Sequence, residues 1–147
     1  MSDILGCNKR PQGTYDALLE LKPAGELAAT TASTKYLDIG TGLFKGKALI
    51  DVASIEAASD GNYVIIIQGS NDTAFNTAKT VELAEMSIGS AGVKRSNARL
   101  ADTEGRYKLY FDNERDGEYY RYIRIYTCVL GTSNKKINYS AYVVPME

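Results

Sequence analysis

Short runs of β-branched and aromatic residues, separated by clusters of turn-forming residues, dominate the chain from residue 47 onward. This spacing is typical of a β-sandwich or β-barrel, because each run suits one strand and is too short for an ordinary helix. The apolar run at residues 63–67 lies between turn-rich stretches at 60–62 and 69–72. Its continuous apolar character predicts a central strand that is buried on both faces. The pattern as a whole predicts an all-β fold.

Alternation within three further runs predicts which side chains face the core. Residues 106–111, 122–126 and 137–143 each alternate apolar with polar or amphipathic side chains. Successive side chains of a strand point to opposite faces, so one face of each run is expected to be buried. Together with one residue of the central run, the predicted core residues are Ile65, Leu109, Ile123, Ile125 and Ile137.

The first 34 residues lack this regular pattern. Only residues 15–21 and 26–32 could form a helical turn or two, and Pro23 and Gly25 separate them. We therefore predict an N-terminal arm with short irregular or helical segments at residues 1–34, followed by an antiparallel β-sandwich domain at residues 35–147.

Charge and histidine content argue against several classes of function. The 17 basic and 18 acidic residues leave a net charge of -1, so no long-range field draws the protein to nucleic acid or to an anionic membrane. The absence of histidine removes the commonest general base and the commonest metal ligand. Glycoside hydrolysis by two carboxylates needs no histidine and stays open, although tryptophan, the best platform for a sugar, is absent. We expect a protein that is not an enzyme and has no cofactor, no metal site, no nucleic-acid partner and no membrane partner.

Two loop segments begin like ligand-binding motifs and then depart from them. Residues 40–48 are rich in glycine, but three residues separate Gly42 from Gly46, where a phosphate-binding P-loop has four. Residues 112–117 begin like a calcium loop, but Ile123 occupies the twelfth position, where that loop has a bidentate glutamate. The first segment is predicted to be a turn between strands, and the second a solvated hairpin loop without a calcium site.

The two cysteines, Cys7 and Cys128, are far apart and lack the paired spacing of a zinc or redox motif. We interpret both as free thiols, with Cys128 packed in a strand, while a bridge between them stays open. The first residues lack the basic start and apolar stretch of a signal peptide. Folding in the cytoplasm where the chain is made is therefore expected.

Tyrosine is much more frequent than the other aromatic residues: the chain has eleven tyrosines, three phenylalanines and no tryptophan. Tyrosine is favoured at protein interfaces because it combines apolar area with a hydroxyl group. Tyrosines that simply cover the outside of a sheet are the alternative. Arg121 and Arg124 lie among these tyrosines and could stack on them. The candidate partner contacts are Tyr122, Arg124 and Tyr126 on one strand face, and Ile4, Leu5 and Tyr15 in the arm.

Three stretches together resemble the head decoration, or cement, proteins of tailed bacteriophages. They are residues 63–72 (Tyr-Val-Ile-Ile-Ile-Gln-Gly-Ser-Asn-Asp), residues 120–126 (Tyr-Arg-Tyr-Ile-Arg-Ile-Tyr), and residues 131–142, which end in Ile-Asn-Tyr-Ser-Ala-Tyr. The resemblance covers roughly residues 48–144.

This resemblance implies a jelly-roll-like sandwich on the outer surface of a phage head, bridging neighbouring major capsid subunits, often as a homo-oligomer such as a dimer or trimer. A structural virion protein made in the host cytoplasm is the function that follows from it. The alternative is a carbohydrate-binding or receptor-binding β-sandwich module of a phage tail or fibre.

Overall fold

The computed structural model describes residues 19–56, 61–89, 103–131 and 135–146. Within these ranges the chain forms eleven strands and no α-helix. The strands are β1 (Glu20–Lys22), β2 (Glu26–Leu27), β3 (Thr31–Asp38), β4 (Lys45–Ile55), β5 (Asn62–Ser70), β6 (Thr80–Gly89), β7 (Gly105–Asp112), β8 (Glu114–Arg115), β9 (Glu118–Tyr119), β10 (Tyr122–Leu130) and β11 (Ile137–Pro145). A short 3-10 helix at Thr77–Lys79 precedes β6.

Most of the strands belong to two antiparallel sheets. Sheet 1 has the order β1-β11-β4-β7, with β2 also paired to β11, and sheet 2 has the order β3-β10-β5-β6. Strands β8 and β9 form a separate hairpin. Buried side chains from both sheets join one core cluster. The predicted antiparallel all-β sandwich is therefore confirmed.

The long strands pair as a series of nested hairpins. Strand β5 pairs with β6, β4 with β7, β3 with β10 and β1 with β11. Additional pairing of β10 with β5 and of β11 with β4 folds these nested hairpins into the two sheets. As a result, consecutive long strands lie in different sheets, except for β5 and β6.

The predicted core residues all lie between the two sheets. Ile65, Ile123, Ile125 and Ile137 are completely or almost completely buried, and Leu109 is 9% exposed. The alternation predicted for β7, β10 and β11 is confirmed. Strand β5 lies inside sheet 2, and even its outward Ile66 is buried, so the prediction of a central strand is also confirmed.

The N-terminal prediction is wrong for the residues that the structure describes there. Residues 26–32 contain β2 and the start of β3, and β1 brings Leu21 into the core with no exposed surface. Pairing of β1 and β2 with β11 supplies backbone hydrogen bonds that local sequence does not reveal, and tertiary context overrides a weak local preference. The remainder of the predicted arm, residues 1–18, lies outside the described residues.

The structure confirms a turn between strands in the first loop segment and a hairpin in the second. The glycine-rich segment connects β3 to β4, and Gly40 adopts a φ of 91° that favours glycine. The hairpin of β8 and β9 turns at Asp116 and Gly117, whose φ values are 55° and 80°. Positive φ at both central residues is typical of the tight turn that Asp-Gly favours.

Asn113 fastens this hairpin to the loop between β3 and β4. Its side chain has no exposed surface. The Oδ1 atom accepts a hydrogen bond of 2.7 Å from the Phe44 amide. The Nδ2 atom donates to the carbonyl oxygens of Gly42, at 2.9 Å, and Tyr120, at 3.0 Å. The Oδ1 atom and both hydrogens of Nδ2 are therefore engaged within the protein, and the bond to Tyr120 holds the chain just before β10 enters sheet 2.

Candidate functional site

The outward face of β10 carries three of the six candidate contact residues. Tyr122, Arg124 and Tyr126 are half-buried and alternate with the buried Ile123 and Ile125. The structure thus places the three residues on one face, as the alternation predicts. The other candidates, in the predicted arm, are Ile4, Leu5 and Tyr15, which lie outside the described residues.

Two further aromatic side chains join this face, Tyr36 from β3 and Phe75 from the loop after β5. The ring centroids of Tyr36 and Tyr122 are 5.6 Å apart and their planes meet at 87°, a favourable edge-to-face arrangement. The Phe75 centroid lies 6.2 Å from that of Tyr36. The Cζ atom of Arg124 lies 4.4 Å from the Phe75 centroid, within the range of a cation–π interaction. We call Tyr36, Phe75, Tyr122 and Arg124 the aromatic–arginine cluster.

The predicted stacking of arginines on tyrosines is correct for one of the two. The Cζ atom of Arg121 lies 5.4 Å from the centroid of the Tyr122 ring. Arg124 lies over Phe75 instead of a tyrosine, because the loop after β5 folds back over sheet 2. Sequence alternation describes only strands, so it did not place a loop residue here.

Phe75 is held in this position by a strained loop. Its φ is 52°, a value that a bulky side chain rarely adopts and that costs about 1 to 3 kcal/mol. Asp72 stabilises the loop: its carbonyl accepts a 2.9 Å hydrogen bond from the Phe75 amide, and its carboxylate accepts bonds from Ala74 and Asn76. Only 6% of the Phe75 surface is exposed. The fold therefore accepts backbone strain in order to hold this ring on the sheet.

Arg124 and Arg121 differ in their electrostatic surroundings. Arg121 donates through Nε and Nη2 to the two carboxylate oxygens of Asp38, each at 2.8 Å. These hydrogen bonds raise the pKa of Arg121 and lower the pKa of Asp38. Arg124 donates through Nε to Gln68 Oε1 at 2.8 Å. Among the described residues no carboxylate pairs with it, and burial lowers the pKa of its guanidinium. Arg124 is thus a half-buried cation that forms no ion pair with the described residues.

A groove of about 380 Å³ lies beside Arg124 on the same face of sheet 2. The groove is lined in part by Phe75, Tyr126 and Cys128, and Glu82 of β6 also lines it. Cys128 is a free thiol, as predicted, and is half-buried. Burial raises its pKa, as do the charges of Glu82 and another glutamate of β6. The thiol is therefore protonated at neutral pH and poorly suited to act as a nucleophile.

A second cavity, of about 280 Å³, lies next to the turn between β1 and β2, and the buried Lys22 is in its wall. The Lys22 ammonium donates to the carbonyl oxygens of Pro23 and Gly25 at 3.1 and 3.2 Å. A third bond of 2.7 Å reaches the carbonyl oxygen of Tyr139. Burial lowers the pKa of Lys22, but all three of its donors are used by the fold. We therefore assign Lys22 a structural role, in which it holds β1 against β11.

The chemistry of the outer face of sheet 2 suits recognition by contact. Aromatic rings, the Arg124 guanidinium and hydrogen-bonding side chains lie together on a surface that the fold holds in place. In the described ranges no group of three or more His, Cys, Asp or Glu side chains could hold a metal ion. No helix found there has the length and apolar character needed to cross a membrane.

No protein-family model matches the chain, and no curated protein matches it significantly. The resemblance to phage decoration proteins accordingly rests on the sequence pattern alone.

Proposed function

We propose that this chain is a structural virion protein, a decoration or cement protein that binds the outside of a phage head and stabilises contacts between major capsid subunits. The observation that carries the proposal is the aromatic–arginine cluster on sheet 2. Tyrosine and arginine dominate the energetically important centres of protein interfaces. Tyr36 keeps 42% of its surface exposed although it packs edge-to-face on Tyr122. A cluster ordered before binding loses little conformational freedom on binding.

The strand order supports the jelly-roll part of the proposal. A double-sheet jelly roll has eight strands in two sheets. The nested pairing of β1 with β11, β3 with β10, β4 with β7 and β5 with β6 supports this part of the proposal. A fold by itself does not define a function. The resemblance of residues 63–72 and 120–126 to decoration proteins supplies the link to a phage head.

A cement protein needs no active site, because it acts by mass action. It binds the assembled shell better than the separated subunits, so each occupied site stabilises the shell. When the free cement protein is at one hundred times its dissociation constant for the shell, each site contributes about 2.7 kcal/mol. Copies that touch two subunits, or that associate as a dimer or trimer, gain further from multivalency. The proposed partners are the major capsid protein and other copies of this chain.

Purified heads that lack this chain provide the test. They should be assembled from the major capsid protein of the same phage, incubated with the purified chain and then heated. We expect saturable binding with a fixed number of copies per head and a higher temperature of head disruption. Unassembled capsid protein is the matched control and should bind more weakly. Heads that fail to bind the chain would refute the proposal.

A second function is favoured by one observation, the groove beside Arg124. Aromatic side chains near polar groups such as Gln68 and Glu82 also suit a sugar ligand. A carbohydrate-binding or receptor-binding module of a tail or fibre would use the groove in this way. Binding to a defined glycan on an array, combined with no binding to heads, would favour this alternative.

A further inference from the structure

Arg124 is the strongest unexplained feature of the described surface. A guanidinium keeps its charge under all ordinary conditions, and burial of a charge is costly unless another group compensates it. The neighbouring Arg121 has such compensation in its two hydrogen bonds to Asp38. Arg124 has one bond to the neutral side-chain amide of Gln68 and one aromatic face at Phe75. Within the described parts of the chain no carboxylate bonds to this guanidinium, so its two Nη atoms face the groove without an ionic partner there.

We propose that the groove at Arg124 is a docking site for the carboxylate of an aspartate or glutamate side chain of a partner protein. The inference rests on the proposed function, since it names the chemistry of the partner at the same surface. It predicts an acidic residue on the capsid surface at the place where sheet 2 meets the shell.

The geometry around Arg124 suits this ligand. The bond from Nε to Gln68 at 2.8 Å and the Phe75 ring at 4.4 Å fix the guanidinium from one edge and one face. The two Nη atoms make no hydrogen bond to any described residue and form the fork that binds a carboxylate through two parallel hydrogen bonds. A planar cation that is already held in place loses little freedom when the carboxylate binds.

The surroundings of the groove favour one carboxylate on a protein surface over other anions. Glu82 in the lining repels any anion, and it repels a doubly charged phosphate group about twice as strongly as a singly charged carboxylate. Tyr36 and Tyr122 at the side of Arg124 provide the amphipathic contact area that protein interfaces use. Asp38, the acidic residue that ends β3, is already engaged by Arg121, so it does not compete for the site.

The first experiment examines the isolated protein with a small probe. The Nε–H signal of Arg124 is followed by proton–nitrogen NMR while N-acetyl-glutamate amide is added. We expect a saturable shift in the millimolar range, and no shift with N-acetyl-glutamine amide, which has the same shape without the charge. Absence of a shift with the glutamate probe would refute the inference. A shift caused only by N-acetylneuraminic acid would also refute it and would assign the groove to an acidic sugar.

The second experiment measures binding to heads. Arg124→Gln should weaken binding by about tenfold or more, because it leaves the partner carboxylate unpaired. Arg124→Lys keeps the charge without the fork and should restore part of the loss. The matched control is Lys108→Gln, which makes the same change in net charge on the exposed face of β7 in sheet 1. The thermal unfolding of each variant is measured first, so that a loss of binding is compared only between folded proteins.

The two experiments separate the inference from the proposed function. If the chain binds heads and Arg124→Gln binds as well as Lys108→Gln, the carboxylate site is refuted while the cement function stands. If the glutamate probe shifts Arg124 and the chain binds no heads, the carboxylate site stands while the cement function is refuted.

Discussion

Replacement of Asn113 by alanine should destabilise the protein much more than its position in a polar loop suggests. The change removes the acceptor of the Phe44 amide and the donor to the Gly42 and Tyr120 carbonyls. Gly42 is exposed, so water can replace its lost donor, whereas Tyr120 is buried and Phe44 half-buried. A buried group left without a partner costs about 1 to 3 kcal/mol, and the half-buried Phe44 amide costs less than the Tyr120 carbonyl, so the free energy of unfolding should fall by about 2 to 5 kcal/mol in total.

Urea unfolding, followed by circular dichroism and tyrosine fluorescence, measures this loss. Asn76→Ala is the matched control, because that side chain is exposed and makes one hydrogen bond to Asp72. We expect it to cost less than about 0.5 kcal/mol. Asn113→Asp is a second variant, of nearly identical shape. It replaces the Nδ2 donor by an oxygen that faces the carbonyls of Gly42 and Tyr120. Its loss of unfolding free energy should be smaller at acidic pH, where the carboxyl is protonated and can donate. Equal costs for Asn113→Ala and Asn76→Ala would refute the reasoning.

Three further predictions follow from the same structure. Ile123→Ala should cost about 2 to 5 kcal/mol through lost burial and a cavity, and Asn138→Ala far less; equal losses in urea unfolding would contradict the assigned faces of β10 and β11. Because Arg121 lowers the pKa of Asp38, the stability from this pair is complete above the ordinary value of 3.8 and is lost as pH falls through the lower folded value. Asp38→Asn should therefore weaken the acid dependence of the melting temperature below pH 3.8, and an unchanged profile would count against the pair. Burial raises the pKa of Cys128, so a thiol reagent should label it more slowly in the folded than in the urea-unfolded protein. Peptide mapping measures the two labelling rates, and equal rates would contradict its burial.

The sequence predicted the centre of the sandwich well, because strand alternation is a local signal. In β10, Ile123 and Ile125 alternate with Tyr122, Arg124 and Tyr126, and the structure buries the first pair and turns the other three outward. For a strand of this kind, its own residues are enough to predict which side chains are buried. The same rule could not supply the order of the strands, which depends on pairings between distant segments.

The parts that sequence reasoning missed depend on those distant pairings. Tyr36 reaches the aromatic–arginine cluster because it pairs with Arg124 across β3 and β10, just before the register between these strands shifts. Phe75 lies in a polar loop, where no periodicity predicts that a ring folds back on a sheet, and its positive φ contradicts its ordinary preference. Leu21 lies in a segment of weak pattern that becomes a strand only because β11 is beside it. Such features require the assembled fold.

Arg124→Met distinguishes a structural from a functional role for the cluster. Two features of the site disfavour the isolated fold: a half-buried charge with no carboxylate partner in the described ranges, and the φ of 52° at Phe75. Methionine keeps an unbranched side chain against the Phe75 ring and removes the cost of burying the charge. We expect the free energy of unfolding to stay the same or rise by up to about 1 kcal/mol, while binding of N-acetyl-glutamate amide is lost. A fall of more than about 1 kcal/mol in urea unfolding would mean that the fold itself needs the guanidinium. A stable variant without the binding would mean that the fold maintains this cation for a partner.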